Sequence, residues 1–185
     1  VTADNLIQGP ATLYEGAFGA TEPADSAVNT TPSASTWTDL GGTSDGATIT
    51  MTQAFSELKV DQLIETVGRR LTQRDVGIKT NLAEPTLANL ALTTNNSSPV
   101  ASSGYTTLDL DTATSATQPL YKAFMIDGYA PAGLRRRVII RRGLNTASPE
   151  LAYKKDAMTL IPVEFASHYV SNSIKSVHIV DETTV

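Results

Sequence analysis

Few residues in this chain have the type and spacing that chemistry requires. His168 and His178 are its two imidazoles. Residues 42–46 have the letters Gly-x-Ser-x-Gly, but we interpret these glycines as part of a hairpin and not as the strand-to-helix turn that presents a hydrolase nucleophile. The histidines also lack the spacing of a helical zinc site, and the chain contains no cysteine. The glycine-rich phosphate loops GxxxxGKS/T and GxGxxG are absent from the sequence too. We therefore predict no enzymatic activity, no metal and no cofactor.

A pair of carboxylates is the weak exception. Asp109 and Asp111 alternate along a predicted strand and so share a face, where they could hold a hard cation. A calcium loop needs further acids close by, and this segment has none. We keep the pair as a minor alternative to plain surface carboxylates.

An arginine-rich strand is the strongest local feature. Five of the fourteen Lys and Arg residues fall close together: Arg135, Arg136, Arg137, Arg141 and Arg142. Nucleic-acid binding is one interpretation, but it favours aromatic residues interleaved among the basic ones, and this run has none. A plain solvated surface is the second. The third, which we favour, is a strand that projects from the body and pairs its arginines with carboxylates of neighbouring copies, with Glu57, Asp61 and Glu65 as the predicted acids.

The charges are segregated along the chain. Its net charge of −5 argues against a general nucleic-acid-binding protein. Residues 1–66 contain nine acids and one base, whereas residues 67–185 contain thirteen bases and ten acids. Chance segregation on a solvated surface is one explanation. The other is that the acidic surface of one copy contacts the basic surface of another.

Length and composition are those of one folded domain spanning residues 1–185. Hydrophobic residues make up 41% of the chain and charged residues 18%, which is too apolar for a disordered protein. The N-terminus has no signal-peptide pattern, and no apolar run reaches the roughly 18–20 residues of a membrane helix. We expect synthesis in a cytoplasm and no membrane partner.

Alternating apolar residues predict a β-rich domain. The predicted strands cover residues 11–18, 37–42, 46–55, 55–62, 69–82, 105–111, 119–131, 134–143, 157–166 and 176–182. The apolar parity changes between residues 55 and 57, which predicts a bulge or turn there, and Asp45-Gly46 is predicted to be a hairpin turn. The best helical pattern covers about residues 85–94, with Pro85 at its first position. These elements indicate a mainly β sandwich or barrel with one flanking α-helix.

A long loop at about residues 19–36 follows the first strand. It is rich in Ala, Ser, Thr and Pro and has no apolar periodicity. Loops of this length are usually functional or disordered. We interpret it as a candidate arm between subunits or rings, mobile in the monomer and ordered on assembly, with a tolerated surface loop as the alternative.

The order of several segments resembles a known family. A short first strand ends in GAFGATEPAD, and the pattern Trp37-x-x-Leu40-Gly-Gly-Thr-Ser-x-x-Gly46 follows. Then come TITMTQAFSELKVDQL, the charged return strand RRLTQRDVGIKTNLAE and the amphipathic segment PTLANLAL. Across residues 11–93 this order resembles the major tail proteins, or tail tube proteins, of long-tailed bacteriophages.

The resemblance implies the phage tail-tube fold, two packed antiparallel sheets with a flanking helix. It also implies a structural virion protein that forms rings of six copies, stacked into a hollow conduit for DNA ejection. The implied partners are the chain itself and other tail proteins, namely the tape measure, the terminator and the baseplate or tip. Viral DNA passes through without specific binding. The implied location is the virion tail, after assembly in the bacterial host cytoplasm.

Electrostatics adds an expectation about such a conduit. DNA carries a negative charge about every 1.7 Å of its axis, so a wall lined with arginine would bind it and slow its passage. We therefore predict a neutral or acidic wall. The five clustered arginines should face between subunits or rings and not the channel.

Two other function classes remain as alternatives. A head–tail connector or a tail terminator would make single rings that do not stack. A carbohydrate- or receptor-binding β-sandwich should show clustered exposed aromatic residues, whereas aromatic residues are only 6% of this chain and are scattered.

Overall fold

The computed structural model describes residues 2–95, 98–110 and 118–183. The strands within these residues are β1 (Thr12–Ala17), β2 (Trp37–Asp39), β3 (Thr43–Leu58), β4 (Gly68–Leu82), β5 (Val100–Ser102), β6 (Tyr105–Thr107), β7 (Lys122–Tyr129), β8 (Arg135–Asn145), β9 (Ile161–Ser167) and β10 (Val177–Asp181). Helix α1 (Leu87–Thr94) lies between β4 and β5 in the chain. Asp111 lies outside the described residues, so its pairing with Asp109 as a cation site stays a prediction.

The strands form one antiparallel network folded into two layers. Neighbours follow the order β2-β1-β7-β8-β9-β4-β3, and β10 also pairs with β8. Strand β8 joins the layers, because its residues 136–140 pair with β10 whereas residues 143–145 pair with β9. Strands β5 and β6 form a separate hairpin. The predicted class, a mainly β sandwich of packed antiparallel strands with one flanking helix, is confirmed.

The main core lies between the two layers. Phe124 and Ile140 come from β7 and β8, Ile78 and Phe165 come from β4 and β9, and all four are at most 2% exposed. The rings of Phe124 and Phe165 stack with 3.8 Å between centroids. Burial of large apolar side chains from both layers is therefore the main stabilisation of the sandwich.

The first layer consists of β2, β1, β7, β10 and the first part of β8. Residues 18–36 cover its outer face. Met125, Ile139 and Trp37 are buried in a second cluster on this face, and Ala20 packs against it. The Trp37 indole donates a hydrogen bond to the backbone oxygen of Thr21 at 3.0 Å. The segment is therefore packed along the sheet, and the structure does not show the free arm that the sequence suggests.

A buried ion pair fastens this covering segment. Arg137 is 2% exposed and donates to both carboxylate oxygens of Asp127, at 2.6 and 2.7 Å. The same guanidinium donates to the backbone oxygens of Ala27 at 3.3 Å and Thr30 at 2.8 Å. The prediction that the arginine strand projects from the body is wrong. Strand β8 lies between β7 and β10 in the sheet. Its residues 138–140 are buried, and three of its five arginines pair with carboxylates within the chain.

Helix α1 begins at Leu87, two residues later than the sequence suggests. The Thr86 hydroxyl accepts a hydrogen bond from the backbone N–H of Asn89 at 3.2 Å, so Thr86 is the N-cap and Pro85 precedes it. Asn95 ends the helix in the left-handed conformation, with a φ of 64°. Leu92 packs into the main core, which fixes the helix against the sandwich.

The stacked phenylalanines should dominate the stability of the body. Phe165→Ala removes a side chain that is 0% exposed, so we expect the free energy of unfolding to fall by about 3–5 kcal/mol. Phe55→Ala is the matched control, because Phe55 is 53% exposed on the β3–β4 hairpin. Chemical denaturation should show that Phe55→Ala changes the free energy of unfolding by less than about 1 kcal/mol. Equal losses in the two variants would contradict this assignment of the core.

Two Arg–Asp pairs on adjacent positions of β8 allow a second test. Asp127→Asn leaves the charge of the buried Arg137 without a counter-ion, and we expect a loss of about 3–5 kcal/mol in the free energy of unfolding. Asp181→Asn removes the partner of Arg136, whose side chain is 37% exposed, and should cost less than about 1 kcal/mol. Denaturation curves that show the same loss for both variants would overturn the structural role of the buried pair.

Candidate assembly surface

The histidines have ordinary surroundings. Nδ1 of His168 lies 3.1 Å from the backbone oxygen of Ala166, and its ring meets that of Tyr121 edge-on at 5.2 Å. Nε2 of His178 lies 3.0 Å from Asp25. In the described part of the chain, no group of three or more His, Cys, Asp or Glu residues is arranged to hold a metal.

The longest helix in the described ranges is also too short for a bilayer. Helix α1 has eight residues, and no helix formed by residues 2–95, 98–110 or 118–183 has the length and apolar character of a membrane span.

The β3–β4 hairpin is the feature that stands out from the body. Its strands have 16 and 15 residues and pair from Thr43 with Leu82 out to Leu58 with Gly68. Strand β9 supports β4 only over residues 77–82. Beyond that point, β3 and β4 have no strand partner but each other among the described residues. The outer part of the hairpin, residues 51–76, is called the ribbon below. Its eight β3 residues lie opposite the part of β4 that does not pair with β9, and they span about 25 Å.

The ribbon exposes many apolar side chains. Eight large ones are 40% or more exposed: Met51, Phe55, Leu58, Val60, Leu63, Ile64, Val67 and Leu71. A two-stranded ribbon is marginally stable by itself in water, and an exposed apolar patch of this extent marks an interaction site. The ribbon is therefore the candidate assembly surface.

Two irregularities shape the hairpin. The register shifts between Ala54 and Phe55, which confirms the bulge predicted there, although the extra residue is Thr72 on β4. The second shift leaves Asp45 and Gly46 extra within β3, both with positive φ. The predicted hairpin turn at these two residues is wrong, because a bulge uses the same left-handed backbone that a tight turn requires.

The predicted acidic residues all lie on the ribbon. Glu57 pairs with Lys59 at 2.8 Å and with Arg69 at 3.2 Å, and these hydrogen bonds, with Lys59 the larger cause, lower the pKa of its carboxyl. Asp61 and Glu65 lie in the exposed turn that follows β3 at Leu58 and have no ion-pair partner in the described residues. Two of the three predicted acids are therefore available to a neighbour.

Three of the five predicted arginines already have carboxylate partners within the chain. Arg137 binds Asp127, Arg136 donates twice to Asp181 at 2.6 Å, and Arg141 donates to Glu22, including a bond of 2.8 Å. The hydrogen bonds to Asp181 and Glu22 raise the pKa values of Arg136 and Arg141, and Arg136 lowers the pKa of the Asp181 carboxyl.

The other two arginines rest on aromatic rings. The guanidinium carbon of Arg135 lies 4.7 Å from the ring centroid of Tyr129, and that of Arg142 lies 3.9 Å from the centroid of Tyr121. Neither has an ion-pair partner in the part of the chain that the structure describes. The role of the five arginines at an interface stays a prediction, and Arg135 and Arg142 are its best candidates.

Sequence reasoning missed the apolar surface around the predicted acids. The signal is present in the sequence LKVDQLIETV, where five large apolar residues alternate irregularly with charged ones. This segment continues past the end of β3 without the strand periodicity that a core-facing element would need. An irregular apolar segment that has no core to face indicates a surface completed by another molecule.

Comparison with known proteins identifies the family of this chain. The family model described as Phage tail tube protein matches residues 3–183, well beyond the first half of the chain that carries the sequence resemblance. Comparison with curated proteins finds no sequence match. Because the family model covers nearly the whole chain, the chain belongs to the phage tail tube protein family.

Proposed function

We propose that this chain assembles into rings of six copies, and that the rings stack into the tail tube through which DNA leaves the phage head. Family membership makes it a structural protein of the phage tail. The observation that carries the finer proposal is the ribbon, which extends beyond the support of β9 and exposes apolar side chains. A protein that worked alone would have no use for such a surface.

Apolar burial is the main driving force that the ribbon offers. Its eight exposed large apolar side chains represent on the order of 10 kcal/mol per copy when buried, before the costs of association. The ion pairs of Glu57 are exposed, and water and salt screen such pairs, so they add little to the affinity. Burial therefore supplies affinity, and charge sets the register between copies and disfavours wrong contacts.

Open strand edges provide a second means of association. Strand β3 pairs only with β4, and β2 pairs only with β1, in the described residues. The outer backbone groups of β3 are thus open to a strand from another copy, and those of β2 are open in part, because the N–H of Trp37 already donates to the backbone oxygen of Ser33 at 2.9 Å. Two different edges on one chain suit a heterologous contact, which closes into a ring when its rotation fits and propagates as a filament when it does not.

The net charge of −5 suits a conduit for DNA. A wall of the opposite sign would bind the phosphate backbone, whereas Arg137 and Arg141 are held by Asp127 and Glu22 beneath residues 18–36. We propose a virion location after assembly in the host cytoplasm. The proposed partners are other copies and other tail proteins such as the tape measure, the terminator and the baseplate or tip.

Shortening the hairpin tests this function. Thr52 and Asp75 are directly opposed, so replacing residues 53–74 by Asn-Gly closes the strands with a two-residue turn and removes no residue of either core cluster. We expect the unaltered chain to form tubes in negative-stain electron microscopy and the shortened chain to remain a folded monomer. Tyr153→Ser, which alters a side chain 83% exposed elsewhere, should still form tubes.

Each outcome has a clear meaning. Tubes formed by the shortened chain would contradict the role of the ribbon. Single rings of the unaltered chain would favour a terminator or connector. An unaltered chain that remains monomeric at high concentration would contradict self-assembly altogether.

A further inference from the structure

A second apolar surface lies far from the ribbon in the fold. A cavity of about 240 Å³ opens on the outer face of the first layer, between residues 18–22 and residues 170–174. Its apolar walls are formed by Phe18, Ala20, Trp37, Ile139, Val170 and Ile174. An apolar cavity of about 150 Å³ holds a benzene-sized group, so this one has room for aliphatic side chains.

Two cations, Arg142 and Lys175, lie near the mouth of this cavity, whose lining also contains the Glu22–Arg141 ion pair. Arg142 lies beside its wall, with the guanidinium carbon 5.7 Å from the ring centroid of Phe18. Its Nη1 donates to the backbone oxygen of Tyr169 at 2.9 Å, while its Nε is buried without a hydrogen-bond partner in the described ranges. Lys175 follows Ile174 and is exposed. Neither cation has a carboxylate partner among residues that the structure describes, so the mouth can accept an anionic ligand.

The ribbon tip has the complementary pattern. Leu63 and Ile64 are 60% and 108% exposed, and the carboxylates of Asp61 and Glu65 flank them in the sequence. Neither acid has an ion-pair partner in the described residues. The tip thus complements the cavity: the apolar pair matches its apolar walls, and the two carboxylates match the two cations near its mouth.

We propose that the cavity binds Leu63 and Ile64 from the ribbon of a second copy of this chain. Asp61 and Glu65 of that copy then lie near Arg142 and Lys175. This inference rests on the proposed self-assembly and names the surface that receives the ribbon. The two aliphatic side chains serve as the buried anchors, and the contacts of the carboxylates with Arg142 and Lys175 fix their orientation. Because the two patches differ, the contact is heterologous and repeats from copy to copy.

Disulfide trapping tests this contact, because the chain has no cysteine of its own. An affinity-tagged Ile64→Cys chain is mixed with an untagged Ile174→Cys chain and oxidised mildly. Ile174 lines the cavity and is 48% exposed. The matched control replaces it with Tyr105→Cys, which is 64% exposed on β6. A disulfide requires Cα atoms within about 7 Å of each other, so chance encounters in solution contribute little.

We expect the heterodimer of positions 64 and 174 to form at least about tenfold faster than that of positions 64 and 105, because assembly raises the local concentration of the thiols. Equal rates in samples that contain tubes would overturn this inference and leave the proposed function standing. If the unaltered chain forms no assemblies under the same conditions, the proposed function itself fails.

A charge placed in the tip gives an independent measurement. Ile64→Asp brings a carboxylate into the apolar cavity, and we expect the critical concentration for tube formation to rise about tenfold. Gln62→Asp adds the same charge two residues away, at an exposed position of the tip, and should change it far less. Equal shifts for the two variants would show that charge on the tip matters and that burial of Ile64 does not, which would overturn the proposal.

Discussion

Strand β4 extends well beyond the residues that pair with β9, and the assembly surface of the molecule depends on this extension. Strand β9 pairs with β4 over residues 77–82, whereas β4 begins at residue 68. The unsupported part and its partner on β3 expose Met51, Phe55 and Leu71. Water is a poor solvent for such side chains. Under the proposed function, the ribbon is therefore the part of the fold that a neighbouring copy completes.

The body, in contrast, buries its apolar clusters without a partner. Apolar side chains of both layers meet around the Phe124–Phe165 stack, and residues 18–36 cover the outer face. Several charged groups of the body are also paired internally, with the buried Arg137 bound to Asp127 as the clearest case. A self-sufficient body with one incomplete extension suits a subunit that must fold before it assembles. Charges without an ion-pair partner in the described residues remain at the ribbon tip, beside the cavity and at other surface positions.

Local pattern predicted the elements, and sequence-distant partners decided where they lie. Alternation predicted β3 and β4, and a change of parity predicted a bulge or turn close to the register shift at Phe55. The location of β8 was not predictable, because Arg136 and Arg141 are neutralised by Asp181 and Glu22, which are 45 and 119 residues away. From sequence alone, a run of arginines is expected to be exposed to solvent, because its distant carboxylate partners cannot be identified. The turn predicted at Asp45-Gly46 failed because a bulge and a turn share the same backbone chemistry.

Hydrogen–deuterium exchange on the free and the assembled chain examines the division between body and ribbon. In the free chain, the amides of residues 51–58 and 68–75 should exchange fast, and those of residues 122–129 and 136–140 slowly, because only the latter lie in the buried body. Assembly should slow the ribbon amides by at least about tenfold and leave the body amides unchanged. Ribbon amides that exchange at the same rate in both states would contradict the account.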